Sequence, residues 1–243
     1  MRTAGSDRSG RPRAVSHAPQ TFLAAGLDHP AEQVRLLVLD VLQHAAATED
    51  GTRAWAASPL YPAAVRHLLE PSAAVAAQVE RALAAACRHD AGRARLLDND
   101  TVAALRQLAE RDAVVQFRVY SLALAAAGAH PDAAARIFAD GRLLPAPTAL
   151  DAVDDPLTQL NVLETLEQLV VAPGAVAYLA QSGLAARMHD LLRAAAAAAR
   201  QAEDAADPIQ NLVFAKVLSF YGAVCVCVCA RARAKGRAVG CRS

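Results

Sequence analysis

The stretch RDAVVQFRVYSLAL, Arg111 to Leu124, decides the fold. Its valines, Phe117 and Tyr120 favour a strand, and a short apolar run does not separate strand from helix by periodicity alone. The rest of the chain settles the matter, because the stretch has four relatives. PAEQVRLLVLDVL from Pro30, PSAAVAAQVERAL from Pro71, DDPLTQLNVLETL from Asp154 and AADPIQNLVFAKV from Ala205 lie over it without a gap. The ninth position is valine in all five: Val38, Val79, Val119, Val162 and Val213. Four residues earlier stand Val34, Val75, Val115, Thr158 and Ile209, and four later Leu42, Leu83, Ala123, Leu166 and Val217. Columns spaced by four mark one face of a helix, so Arg111 to Leu124 is the third copy of a helix.

The copies start 41, 40, 43 and 51 residues apart, a period that belongs to armadillo and HEAT arrays. Inside each unit a second column follows: Gly51, Gly92, Asp132 and Gly174, read as C-caps of the first helix. Beyond it each unit reads as a turn, a short helix, a small-residue break and another apolar helix. The fold class is therefore all-α, a right-handed α-solenoid of armadillo/HEAT-like repeats in which each repeat buries its face on its neighbours. In the third helix Val115, Val119, Leu122 and Ala123 are expected to point into the stack. Arg118 shares a column with Leu37, Gln78, Asn161 and Leu212 and reads as an arginine snorkelling to solvent. Tyr120 reads as a ring packed between repeats with its hydroxyl at the edge.

The repeats set the domain limits: a disordered tail over 1–26, about four and a half repeats over 27–224, and a Cys- and Arg-rich tail over 225–243. LLRAAAAAARQAEDAAD, Leu191 to Asp207, accounts for the longest interval and reads as an extended helix running into a surface loop. The array closes without a polar capping repeat, which leaves an apolar face exposed, so the chain reads as an N-terminal or truncated piece of a longer solenoid, or as a form whose C-terminus diverges from its relatives.

Alanine-rich composition agrees with helix. A net charge of +1 gives no general case for nucleic acid or membrane as a partner. The longest uncharged run free of proline, Val217 to Ala230, has 14 residues, short of the roughly 18 to 20 that span a bilayer. Cys225, Cys227 and Cys229 fall at every second residue, unlike the C-x₂₋₄-C pairs of zinc sites, and read as buried thiols on an apolar helix end. RARAKGR, Arg231 to Arg237, reads as a solvated basic tail.

No G-x-S-x-G elbow, H-E-x-x-H helix or Gly-rich phosphate loop occurs, and the seven histidines have no ligand spacing. The expectation is a non-enzymatic protein with no cofactor and no metal. Arrays of this kind bind proteins along a surface made by corresponding helices of successive repeats. On the last helix of each unit Arg66, Arg106 and His189 fall at the same step, beside His67, Gln107 and Asp190. This ladder is the candidate partner-binding surface, suited to an acidic or C-terminal segment.

AVVQFRVYSLAL from Ala113, DPLTQLNVLETLEQLV from Asp155, GAVAYLAQSGLAARMHDLL from Gly174 and DPIQNLVFAKVLSFYGAV from Asp207 resemble the middle of the proteasome non-ATPase regulatory subunit 5 family. LDHPAEQVRLLVL from Leu27 is similar to that family's early helix, so the likeness spans Leu27 to Val224. The resemblance implies a monomeric, cytoplasmic chaperone, with the nucleus as a second location, that assists assembly of the base of the proteasome regulatory particle. Its implied partner is the C-terminal domain of a ring ATPase, which it keeps from premature docking on the core particle. A generic armadillo-type scaffold with another partner is the competing expectation. Nuclear import adaptors are a weaker match, since their Trp and Asn ladder is reduced here to Trp55, with Asn161 and Asn211 in other columns.

The register itself is testable. Each column valine contributes about 1.5 to 3 kcal/mol by burial. Val119→Asp is therefore expected to lower the melting temperature sharply, and an unchanged melt would sink the alignment of the five helices.

Overall fold

A computed structural model describes residues 18–141, 143–144, 156–172, 174–201 and 208–234. All the regular structure among them is helical. Helix α1, Ala18–Leu27, precedes the first unit, which comprises α2 (Glu32–Ala45), α3 (Glu49–Ala56), α4 (Leu60–Arg66) and a 3-10 turn at His67–Leu69. The second unit repeats that order as α5 (Ala73–Ala86), α6 (Asp90–Leu96) and α7 (Asn99–Ala109). The third holds α8 (Ala113–Ala129) and α9 (Pro131–Asp140), and the fourth α10 (Pro156–Val170), α11 (Ala175–Gln181) and α12 (Leu184–Gln201). Helix α13, Pro208–Ala234, is the long first helix of the fifth.

Corresponding helices stack. Helix α2 packs on α5, α5 on α8, α8 on α10 and α10 on α13, which makes one ladder five helices wide. A second ladder pairs α3 with α6 and α9 with α11, and a third pairs α1 with α4 and α4 with α7. This is an all-α solenoid, and its core runs along the chain rather than into a centre. Val38, Val79, Val119, Val162 and Val213 are all buried, as are Leu42, Leu83, Ala123, Leu166 and Val217. Val115 and Leu122 are buried too, so the strand-like stretch is helix α8 and turns its valines into the stack as the repeat alignment requires.

Side chains start these helices. Thr48 accepts from Gly51 N–H, Ser72 from Val75, Asp98 from Thr101, and Asp112 from both Val114 and Val115. Each satisfies an orphan donor of the first turn, a contribution of about 1 kcal/mol. The glycine column acts differently from the C-cap reading. Gly51 and Gly92 lie in the first turns of α3 and α6, Asp132 in the first turn of α9, and Gly174 at the N-cap of α11. At Gly51 and Gly92 the second helix starts directly against the last turn of the first. A Cβ at Gly51 would collide with the Ala45 carbonyl, and one at Gly92 with the Ala86 carbonyl. The residue is glycine because backbone meets backbone.

Both expected boundaries shift. Helix α1 begins inside the presumed N-terminal tail and packs on α2 and α4, burying Leu27. At the other end α13 runs through the presumed start of the C-terminal tail to Ala234. Residues 1–17, the loop expected at 202–207, the last part of the third unit at 145–155 and the tail at 235–243 lie outside the described residues. No described helix is long and apolar enough to cross a membrane.

Gly92→Ala is expected to destabilise the protein by about 1–3 kcal/mol, the usual cost of overpacking where backbone has to move. Gly128→Ala is its control, since a Cβ there meets nothing within 4 Å and the site lies in a helix. That change is expected to stabilise by about 0.5–1 kcal/mol. Thermal melts of the two variants should move in opposite directions.

Candidate functional site

Arg118, the residue that first stood out in the sequence, is an internal clamp. Its guanidinium donates to the Leu68 carbonyl at 2.5 Å and the Glu70 carbonyl at 3.1 Å, and it faces Glu80 at 3.9 Å. Those carbonyls end the 3-10 turn of the first unit, so an arginine of the third unit fastens the first. It does not snorkel to solvent, because the two orphan acceptors at that helix end hold it. Tyr120 packs against Phe117 with ring centroids 6.0 Å apart, and burial pushes its hydroxyl up to about 12.

The expected ladder is only partly available. Arg66 is exposed on α4, Arg106 half-buried and Gln107 exposed on α7, and His189 exposed on α12 beside exposed Asp190. Since α4 packs on α7, Arg66 and Arg106 sit on neighbouring helices. His67 departs from the expectation. Its imidazole lies 3.2 Å from Asp28 and 3.3 Å from Glu70, and Glu70 also pairs with Arg35 at 3.1 Å. It therefore joins the end of α1 to the turn after α4 and is committed to the fold.

Cys87, Cys225 and Cys227 are free thiols. Burial pushes the Cys87 thiol up to about 12, which keeps it protonated and unreactive. Of the three cysteines on α13 expected to be buried, Cys225 is exposed and Cys227 is half-buried against the core. Among the described residues no group of three or more His, Cys, Asp and Glu side chains could hold a metal. Trp55 is core, 5.2 Å from the ring of Tyr61. A hollow of about 660 Å³ lies between the α6–α7 junction and α9, and Arg136 on its wall donates to the Leu97 carbonyl at 2.7 Å. That cation ties the third unit to the second, as Arg118 ties the third to the first.

The ladder of first helices has a different surface. Large apolar side chains stand in solvent along it: Leu37 at 66% exposure, Val114 at 59%, Leu157 at 64% and Leu212 at 55%, with Val41 between. Leu37 and Leu212 share one repeat column and Val114 and Leu157 another, neither of them the column of the buried valines. Polar contacts close most seams of this face. Gln78 donates to Gln43 at 2.7 Å between α5 and α2, and Arg118 meets Glu80 between α8 and α5. Between α13 and α10, the Glu167 carboxylate accepts from Lys216 at 2.8 Å and from the Ser219 hydroxyl at 2.5 Å. The two bonds from Lys216 and Ser219 hold the Glu167 carboxyl below the usual range, and Glu167 in turn raises Lys216. The α8–α10 seam opens instead into a groove of about 300 Å³, with Val114, Phe117 and Ser121 on one wall and Asn161, Glu164 and Gln168 on the other. Sequence reasoning missed this face because its exposed positions form a mixed column, with only the recurrence of leucine at Leu37 and Leu212 as a signal.

A designed armadillo repeat protein is similar over 84% of this chain and 98% of its own, with 13% identity and a TM-score of 0.46. At that level the solenoid assignment rests on the helix contacts themselves. No curated protein sequence gives a significant match. The model of the family described as proteasome non-ATPase 26S subunit matches residues 10–232, from ahead of α1 to the last turn of α13. With that match covering most of its length, the chain belongs to the proteasome non-ATPase 26S subunit family.

Proposed function

We propose that the protein is a non-catalytic chaperone for the base of the proteasome regulatory particle, and that it binds the C-terminal domain of one ring ATPase. Family membership ties the chain to the proteasome. The observation that carries the reading is the first-helix face, where Leu37, Val114, Leu157 and Leu212, on the first helices of the first, third, fourth and fifth units, stand in solvent. Apolar side chains concentrated on one face of a soluble fold mark a surface that another protein covers. A rigid array whose helices are pinned by buried valines presents that face without reordering, which lowers the cost of binding. The mechanism is steric: a domain held on this face is kept from docking on the core particle until the chaperone leaves. It requires neither nucleotide nor metal.

The first-helix face is favoured over the ladder of Arg66, Arg106 and His189, because that ladder is charged, solvated and lacks a free His67. Mixing the protein with the C-terminal domain of each ring ATPase in turn and running a sizing column tests both points. One domain is expected to co-elute, to be lost on Leu37→Asp combined with Leu157→Asp, and to survive Arg66→Glu combined with Arg106→Glu. Loss on the arginine pair instead would return the site to the third helices. If the folded protein retains none of the domains, the chaperone reading fails and a scaffold with another partner takes its place.

A further inference from the structure

The groove between α8 and α10 has a pattern of its own. Asn161, Glu164 and Gln168 stand at i, i+3 and i+7 on α10, hence on one side of the helix, and all three are exposed. Two helical turns separate the outer amides by roughly 10 Å, about the rise of three residues of extended chain. Carboxamides both donate and accept, so a pair at that spacing suits the N–H and C=O groups of a short extended segment. Thr165, whose hydroxyl donates to the Asn161 carbonyl at 2.8 Å, fills in the wall below them. Across the groove Val114 and Phe117 offer apolar surface, and Ser121 is too short to close it.

Glu164 sets the sign of the occupant. Among the described residues no hydrogen bond or ion pair engages its carboxylate. Lys216, which feels its charge, is bonded to Glu167. The remaining groove residues are neutral, so the groove has one carboxylate midway between two amides, opposite an apolar wall.

We infer that this groove holds an extended peptide segment of a partner protein, with a lysine or arginine at its centre on Glu164 and apolar side chains beside it on Val114 and Phe117. The inference rests on the reading of the first-helix face as a protein-binding surface and names the chemistry recognised there. Charge complementarity selects this occupant over an acidic segment, and the narrow seam between two helices admits an extended chain more readily than a helix.

Two fluorescein-labelled heptapeptides of leucine and alanine test it, one with a central lysine and one with glutamate there, read by fluorescence anisotropy. The lysine peptide is expected to bind the full chain at least tenfold tighter than the glutamate peptide. Glu164→Lys should reverse that preference, and Ser121→Arg, which fills the groove with a side chain able to reach Glu164, should abolish binding of both. Melts and sizing profiles of the two variants should match the parent, since both positions are exposed. Equal binding of the two peptides, or lysine-peptide binding unchanged in both variants, overturns the inference. So does a dimer of the parent that Ser121→Arg splits, which would make the occupant a second copy of the chain. ATPase-domain co-elution run on the same variants separates the two readings. Domains retained without any peptide preference leave the chaperone and remove the groove, whereas a charge-reversed preference with no domain retained leaves the groove and removes the chaperone.

Discussion

The structure depends on a valine at the ninth position of each first helix meeting the helix before and after it. Val38, Val79, Val119, Val162 and Val213 are buried at 7% exposure or less, and the residues four positions later are equally buried. Because every unit buries its face only on its neighbours, this contact is both the core and the connection between repeats. Rigid β-branched side chains suit the role, since they lose little rotamer freedom on packing. The glycines at 51 and 92 follow from the same constraint. Bringing the second helix back against the first quickly enough to keep the period near forty residues presses its first turn on a carbonyl of the preceding helix end.

Arginine completes what valine begins. A short helix exposes unpaired carbonyls at its end, and a solenoid built from short helices has many such ends near its core. Arg118 reaches the carbonyls of Leu68 and Glu70 from two units away in sequence, Arg136 reaches Leu97, Arg93 reaches Cys87 and Arg88, and Arg35 reaches His29 and Pro30. A guanidinium suits the task because its fork can satisfy two acceptors and its charge strengthens both bonds. Arginines that stand out in the sequence are therefore largely spent on the fold. At the α8–α10 seam the polar residues left for a partner are Asn161, Gln168 and Glu164.

The repeat was legible because helical spacing and the longer period reinforce each other over five copies. One copy, such as the Val114–Val115–Phe117 run, reads as strand by itself. The role of Gly92 was not legible, since a glycine just beyond a helix fits a C-cap and a close backbone approach equally well. Only the position of the Ala86 carbonyl separates the two. Arg118 was misread for a related reason: its acceptors are backbone atoms some fifty residues earlier, and backbone carbonyls leave no trace in a residue pattern. Helix α1 escaped because no column of the repeat extends into it. The groove escaped because its column holds Asp40, Arg81, Ser121, Glu164 and Ala215, a mixture that reads as solvated surface until Ser121 and Glu164 are seen to share one seam.

That mixed column is where units of one fold become different from one another. The buried columns have to repeat, because any unit must fit any neighbour. The outward positions have no such constraint. Gln43 with Gln78 makes a neutral closure, Glu167 with Lys216 a charged one, and Ser121 opposite Glu164 none at all. Opening one seam costs little, since an exposed polar pair on a helix face contributes only a few tenths of a kcal/mol to about 1 kcal/mol, while the buried valines below hold the helices together. A binding groove is thus made here by leaving out a bridge, without weakening the stack that shapes it.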